Sequence, residues 1–343
     1  MIALAMLTLA PGGMGGSEEA ARTLTAALAE HGSIDYRVLA PPDALDVANG
    51  LPVRAEGAPG AANRLVALGH ALASRSALDG ADAVHYPFTV PAPQPGRPHA
   101  VTLHDVLHLD LPELVSRPVR AFRRLAYDAA SRRADRVIVP SAFVRDRAIA
   151  RLGLDPARVR VIHHAVDTAT FHPPERDERE PFVLFPARPW PHKNHAFLFQ
   201  AFAEVRRERP ELELVLTGGG HNAIRLPGGV RSLGLVPRQE LAALYRRASV
   251  LVFPSRYEGF GLPVLEAMAS GLRVAAADIP AVREVVGDAA ILFAPTSVRD
   301  AANAILEAAD AGDELGGRGV AIAQTFTRER LAHAHDAVYN ELL

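Results

Sequence analysis

Apolar residues run from Met1 to Ala10 with only Thr8 interrupting them, and Pro11 and a cluster of glycines follow at once. A short unbroken apolar run closed by turn residues reads as a strand buried on both faces, so residues 1–9 are predicted as a strand and 11–16 as a glycine loop. From Ser17 the period changes. Leu24, Ala27, Leu28 and His31 recur at helical spacing, Glu18 and Glu19 suit a first turn, and Gly32 suits a helix end. These signals predict a helix over 17–31 capped by Ser17. The rhythm of strand then helix repeats, with strands over 36–39, 83–86, 100–104, 136–139 and 159–163 and helices over 61–78, 118–132 and 142–152. It halts at 173–181, PPERDEREP, a charged segment bounded by prolines of the kind that links domains. It then restarts, with strands over 182–185, 212–216, 250–253 and 273–276 and helices over 194–209, 237–247, 261–269, 281–286 and 298–311.

Strands alternating with helices call for parallel sheets covered on both faces. The expected fold is α/β: two doubly wound, Rossmann-like domains, residues 1–173 and 181–326, facing a cleft. A terminal helix over 327–343 is free to pack back on the first domain. Ligands of such sheets bind beyond the carboxyl ends of the strands, which makes the cleft the expected site. The length of 343 residues suits two domains. With 37 basic and 39 acidic side chains the net charge is −2, so no overall field draws nucleic acid. The absence of cysteine removes thiolate nucleophiles, disulfides and cysteine-held metal sites. No uncharged apolar run reaches the ~18 residues of a membrane span, and no cation precedes Arg22, so a cytoplasmic protein without a signal peptide is expected.

One basic residue stands apart. Lys193 is the only lysine, which leaves 37 − 1 = 36 arginines. It lies in Arg188-Pro189-Trp190-Pro191-His192-Lys193-Asn194, past a predicted strand and at the start of a helix, where two fixed cations and a helix N-terminus would hold a diphosphate. A solvated loop with Asn194 as helix cap is the plainer reading. The N-terminal glycine loop also precedes a helix, an anion position. Glu18 breaks its dinucleotide register, however, so a nicotinamide cofactor is not expected and a tight turn is the alternative. The densest segment runs from Ser255 to Met268. There the chain leaves an apolar strand, turns on Gly259 and Gly261, and enters a helix with Pro263 in its first turn. Glu258 then falls in the loop, and Glu266 lies about 100° round the helix from Leu265, off its apolar face, where an ordinary surface residue would lie. His104, Asp105, His108 and Asp110 cluster after a strand and are a candidate metal set, less expected than a structural or binding role. From Arg117 to Arg151 ten arginines face Asp128, Asp135 and Asp146, a local excess of 10 − 3 = +7.

Glu258 and Glu266, separated by seven residues and followed by Ala-Met-Ala-Ser-Gly, resemble the E-x7-E signature of the retaining GT-B glycosyltransferases of the group-one class. Arg188 with Lys193, Thr217-Gly218-Gly219-Gly220, Gly234-Leu235-Val236, Tyr245 and Phe253-Pro254-Ser255 fall in that family's order. Val139-Pro140-Ser141 and Val161 to Asp167 are similar to the closing strands of its first domain, except that His164-Ala165 stands where asparagine-glycine is usual. The resemblance is closest to mannosyltransferase-like members. It implies retaining transfer of a hexose from a nucleoside-diphosphate sugar, GDP-linked for preference, to a hydroxyl of a glycan, a lipid-linked acceptor or a small molecule. It further implies that Arg188 and Lys193 neutralise the departing diphosphate and that Glu266 takes the ribose hydroxyls. Glu258, with the backbone of Gly259, Phe260, Gly261 and Leu262, would hold the donor sugar and phosphate, and Glu258 is also the candidate nucleophile. His104 would orient the sugar, and Gly15 and Gly16 would close over the phosphates or acceptor. No metal and no further cofactor is expected. Members often act on lipid-linked acceptors, which would suit peripheral membrane contact through residues 117–151. An epimerase, a phosphorylase or a non-enzymatic sugar-nucleotide binder on the same plan is the alternative.

Overall fold

Every strand in the computed structural model, which describes residues 1–56, 64–175 and 179–343, pairs in parallel. The chain divides into two units, Met1–Ala165 with Thr327–Leu343, and Val166–Phe326. In the first, β1 (Ile2–Ala5), β2 (Tyr36–Ala40), β3 (Val53–Ala55), β4 (Ala83–Tyr86), β5 (His99–Thr102), β6 (Arg136–Val139) and β7 (Val159–Val161) form one sheet. Its order is β3-β2-β1-β4-β5-β6-β7. β1 shows why the apolar run was unbroken. Ile2 and Leu4 enter the core on one face, with Leu24 and Leu28 of the helix Gly16–His31, while Ala3 and Ala5 enter the core on the other, with Val84, Val101 and Val144.

The terminal helix, Arg328–Asn340, belongs to this unit and adds Leu331, Ala332, Val338 and Tyr339 to the face of Ile2 and Leu4. Its anchor is polar. Buried Asp336 accepts from the backbone N–H and the hydroxyl of Ser33, both at 2.8 Å, and from the Tyr36 hydroxyl. Burial, with that carboxylate beside it, pushes the Tyr36 pKa up, so the phenol remains a donor.

In the second unit, β8 (Phe182–Pro186), β9 (Glu213–Thr217), β10 (Val230–Ser232), β11 (Val250–Phe253), β12 (Arg273–Ala277) and β13 (Ile291–Phe293) form a sheet in the order β10-β9-β8-β11-β12-β13. Helices His195–Glu208, Arg238–Arg247, Leu262–Ala269 and Val298–Asp310 cover it.

Several expectations need correction. The boundary falls after Ala165, ahead of the proline-bounded segment. Phe171 is fully buried, edge-on to Tyr245 with ring centres 5.7 Å apart, and Arg179 donates to the carbonyls of Ala248 and Gly271 at 3.0 and 2.7 Å. Both ends of the expected linker are therefore held by the second unit; its residues 176–178, like 61–63 of the expected helix, lie outside the described residues. The first helix is entered through Gly15, at φ 58°, with Ser17 already inside it, and His31 is exposed. Gly32 ends that helix through close approach and not through a left-handed turn: its φ is −69°, and a Cβ there would stand 2.5 Å from the Leu28 carbonyl oxygen and from the Tyr36 ring. β3, β10, β13 and the helix Asp313–Ala323 were not anticipated.

Asp336→Ala should leave three donors of Ser33 and Tyr36 without an acceptor and destabilise the protein by on the order of 3 kcal/mol. Urea titration checks this; a change within error would mean the clasp does not hold the terminal helix.

Candidate functional site

The order of the second sheet reverses between β8 and β11, and the segments leaving the carboxyl ends of β8, β9 and β11 carry most of the candidate residues. A doubly wound sheet opens a crevice at such a point. After β8 the chain makes successive turns, Trp190 N–H to the Arg188 carbonyl at 2.7 Å and Lys193 N–H to the Trp190 carbonyl at 2.9 Å. After β9, Gly218 has φ 116°, and a Cβ on it would stand 3.1 Å from the backbone of Ala187 and Arg188. Glycine there lets the two exit loops touch, and Gly219 passes beside the Arg188 guanidinium. After β11, Arg256 N–H donates to the His192 carbonyl at 2.8 Å, which ties the third loop to the first.

That tie brings two predicted site residues together. Lys193 Nζ meets Glu258 Oε1 at 2.6 Å with both side chains about nine-tenths buried (11% and 12% exposed), and the ammonium lies 5.1 Å from the centre of the Phe253 ring. A lysine so placed is a compact charge fixed by its partner, and its position depends on the length and shape of an ammonium stem. Gly261, at φ 108°, turns the chain into the helix Leu262–Ala269, and its carbonyl accepts the Val264 N–H at 2.9 Å. Phe260 is buried edge-on to Phe326 and holds the turn from beneath. Asn194 starts its helix from a left-handed conformation, φ 62°, without a side-chain cap, its amide donating instead to the Pro254 carbonyl at 3.3 Å.

Glu266 is not a surface residue. It is 6% exposed, because the helix Arg238–Arg247 packs over the side of its own helix that periodicity left open. The Tyr245 hydroxyl donates to Oε2 at 3.1 Å and Arg238 Nη1 to Oε1 at 3.3 Å, with the Arg238 guanidinium 4.6 Å from the Phe171 ring centre. Burial and the Glu266 charge push the Tyr245 pKa well up, so that hydroxyl stays protonated. Arg238 carries no mark in the sequence, since nothing local points to a partner 28 residues away, and the resemblance gives Tyr245 a place in a motif but no role.

In the first unit the sheet reverses between β1 and β4. The glycine loop leaves β1, but Glu18 occupies it: Oε2 accepts the Gly12 N–H at 2.9 Å and Oε1 pairs with Arg22 at 3.2 Å. Gly15 and Gly16 are exposed. His104, beyond β5, donates from Nε2 to the Pro87 carbonyl at 2.8 Å, so the neutral ring keeps Nδ1 as an acceptor. The rest of the His/Asp run is divided among separate partners: Asp105 with Arg123 at 2.8 Å, His108 with Asp128 at 2.8 Å, and Asp110 with Arg147 and Arg151 at 2.5 and 2.7 Å. These four residues do not converge on one point.

Around His104 lies a cavity of about 20 Å³, room for one water-sized molecule, lined by His104, His164, His335 and Thr102 among apolar neighbours. Beside it, His85 bonds the Tyr339 hydroxyl and the Thr102 hydroxyl, both at 2.8 Å. Burial holds every one of these rings neutral. It drives His85 well below its ordinary value and, with neighbouring imidazoles, His164 to about 3. It takes His335 to about 4 and lowers His104 against the pull of the Pro87 bond.

Residues 180–311 match the family model described as Glycosyl transferases group 1, and residues 14–170 the model described as Glycosyltransferase Family 4. The O-antigen chain mannosyltransferase RfbU of Salmonella typhimurium is 30% identical over 219 residues, 61% of this chain and 60% of its own. A D-inositol 3-phosphate glycosyltransferase of Segniliparus rotundus is 28% identical over 261 residues, 68% of this chain and 57% of its own. The chain thus spans less than two thirds of the length of these curated relatives. HepE of Anabaena, solved in complex with UDP and glucose, superposes over 100% of both chains with a TM-score of 0.77 at 19% identity, a likeness of fold.

The buried histidines set a pH dependence. Their folded pKa values lie below the unfolded value of 6.5, so they contribute stability in full above about pH 6.5 and lose it as pH falls toward 4. Each proton taken up on unfolding steepens the slope by ~1.4 kcal/mol per pH unit. Urea midpoints should drop across that window, and less so in His335→Gln; a flat profile would contradict neutral burial.

Proposed function

We propose that the chain is a group 1 glycosyltransferase of GT-B type, a reading supported by the two glycosyltransferase family models that match its successive parts, and that it moves a hexose from a nucleoside-diphosphate sugar to an acceptor hydroxyl with retention at the anomeric carbon. The observation that carries the reading is the Lys193–Glu258 pair at 2.6 Å, set between loops that leave adjacent parallel strands at a point where the sheet order reverses. Group transfer from such a donor needs negative charge stabilised on the departing diphosphate while positive charge grows at the sugar. Arg188 and Lys193 meet the first need. Glu258 keeps the ammonium aimed and, once the diphosphate shares that ammonium, has an oxygen to spare for the sugar.

Glu266 accepts from the ribose hydroxyls, and its two protein donors hold it in place for that task. The Gly259 to Leu262 turn, opened by the left-handed Gly261, brings backbone amides to the phosphate and sugar. His104 offers Nδ1 to a sugar hydroxyl. Gly15 and Gly16 take phosphate or acceptor contacts, leaving the Gly12 amide with Glu18. Mannose is the preferred sugar and GDP the preferred carrier, a reading supported by the mannosyltransferase named among the relatives. Protein cations do the work of a metal in this scheme.

Incubation with GDP-mannose and a panel of saccharide and lipid-linked acceptors, followed by NMR of the product's anomeric proton, tests the proposal; an axial linkage is expected, and an inverted one would refute retention. Lys193→Arg should keep the fold and lose on the order of 100-fold in turnover. Near-normal turnover would remove the ammonium from the mechanism. Chelation by EDTA should leave the rate unchanged, whereas loss of activity restored by one divalent cation would put a metal in place of the cations.

A further inference from the structure

In the second unit the loops that leave β8, β9 and β10 are closed into a ring through a histidine that has no part in holding the donor. His221 opens a short turn, His221–Ala223, just past the Gly218–Gly220 loop, and is 4% exposed. Its Nε2 lies 2.9 Å from the Ala187 carbonyl and its Nδ1 2.9 Å from the Ser232 hydroxyl. Ser232 Oγ also accepts the Gly234 N–H at 3.1 Å, and the Gly234 carbonyl accepts the Gly218 N–H at 2.7 Å. Gly218 in turn lies against the backbone of Ala187 and Arg188. The circuit runs from Ala187 through His221, Ser232, Gly234 and Gly218 back to Ala187.

Hydrogens in this ring can be arranged in one direction. A carbonyl only accepts, so His221 Nε2 carries the hydrogen, and Nδ1 of the neutral ring is left as an acceptor. Ser232 must then donate its hydroxyl hydrogen to Nδ1, which keeps an oxygen lone pair for the Gly234 N–H. Burial holds the His221 pKa below its ordinary value against the pull of the Ala187 bond, in keeping with a neutral ring. The His195 ring, centred 5.4 Å away, is neutral too, held by burial at about 4. Each member of the ring orients the next, and a buried network whose groups are all satisfied is rigid.

The backbone held by this ring is the one that carries Arg188. Ala187 precedes it directly, and on its other side a Cβ on Gly220 would stand 3.4 Å from the Pro189 ring. An arginine has a long, flexible stem, so its guanidinium is a preorganised cation only where its main chain is fixed. We propose that His221 is a positioning residue of the diphosphate site: through the Ala187 carbonyl it fixes the main chain of Arg188, and through Ser232 it ties that position to the loop after β10. This rests on the assignment of Arg188 to the diphosphate. It adds a residue that touches neither donor nor acceptor and acts through the backbone before Arg188.

Calorimetric titration with GDP and with GMP, which lacks the β-phosphate, separates positioning from packing. Ser232→Ala and His221→Phe should each cut the preference for GDP over GMP roughly five-fold, the worth of one neutral hydrogen bond, while affinity for GMP stays near that of the unaltered protein. His221→Gln, whose amide keeps a donor and an acceptor at its tip, should recover most of the preference. Trp190 is the only tryptophan and stands two residues after Arg188, so its fluorescence anisotropy reports on the loop without any ligand. Its local motion should increase in Ser232→Ala and His221→Phe and not in His221→Gln. An undiminished preference for GDP in Ser232→Ala and His221→Phe would overturn the proposal, and a lowered urea midpoint in those variants would then make His221 a packing residue. An unaltered protein that binds GDP no better than GMP would instead remove Arg188 from the diphosphate, and the positioning role with it.

Discussion

A carboxylate shut away from water must be held by donors or give up its charge, and Glu266 meets that condition in the second unit. Tyr245 and Arg238 reach it from a neighbouring helix, and Arg238 is itself steadied over Phe171. The arrangement requires that helix to lie close to Leu262–Ala269, which in turn requires the chain to leave β11 through the left-handed Gly261. The same short helix is pressed from another side. In Asp313–Ala323 a Cβ on Gly316 would stand 2.5 Å from the Gly271 carbonyl oxygen and one on Gly319 would stand 3.3 Å from Met268. Packing on these sides fixes the carboxylate in place, and we read that rigidity as preorganisation for a ligand and not as a source of stability.

The two sheets use one topological device twice. Each reverses its strand order once among neighbouring parallel strands, but only the second gathers its unusual side chains on the loops past that reversal; those of the first come from β4, from beyond β5 and β7, and from the terminal helix. Their chemistry differs. The second unit sets out charge, a lysine and a glutamate nine-tenths buried against each other. In the first, buried imidazoles are kept neutral around a cavity the size of one water, and the glycine loop amide is already engaged by Glu18.

Much of this was legible in the chain, and the failures have physical causes. Strands buried on both faces, such as β1 and β11, announced themselves as unbroken apolar runs. β3 did not, because all three of its residues are exposed at the sheet edge and no alternation remains to be read. The helix Asp313–Ala323 was hidden by Gly316, Gly317 and Gly319, which look like turn residues; Gly316 and Gly319 serve to let two helices touch. Lys193, Glu258 and Glu266 could be picked out by residue type and motif. Their partners could not: the ion pair joins positions 65 apart, and the burial of Glu266 comes from a helix that its own periodicity cannot describe. The burial of Asp128 against His108 is of the same kind, a pairing of positions 20 apart.

If the second unit holds a nucleoside diphosphate between fixed cations and the Glu266 carboxylate, that carboxylate must recognise the ribose hydroxyls. Calorimetric titration with GDP and with its 2′,3′-dideoxy analogue, on the unaltered protein and on Glu266→Gln, tests it most directly. Charge-assisted hydrogen bonds to the ribose are worth about 1.5–3 kcal/mol, so the unaltered protein should bind the dideoxy analogue at least ten-fold more weakly, and the variant should barely tell the two apart. Equal discrimination in both proteins, or none in the unaltered one, would contradict it.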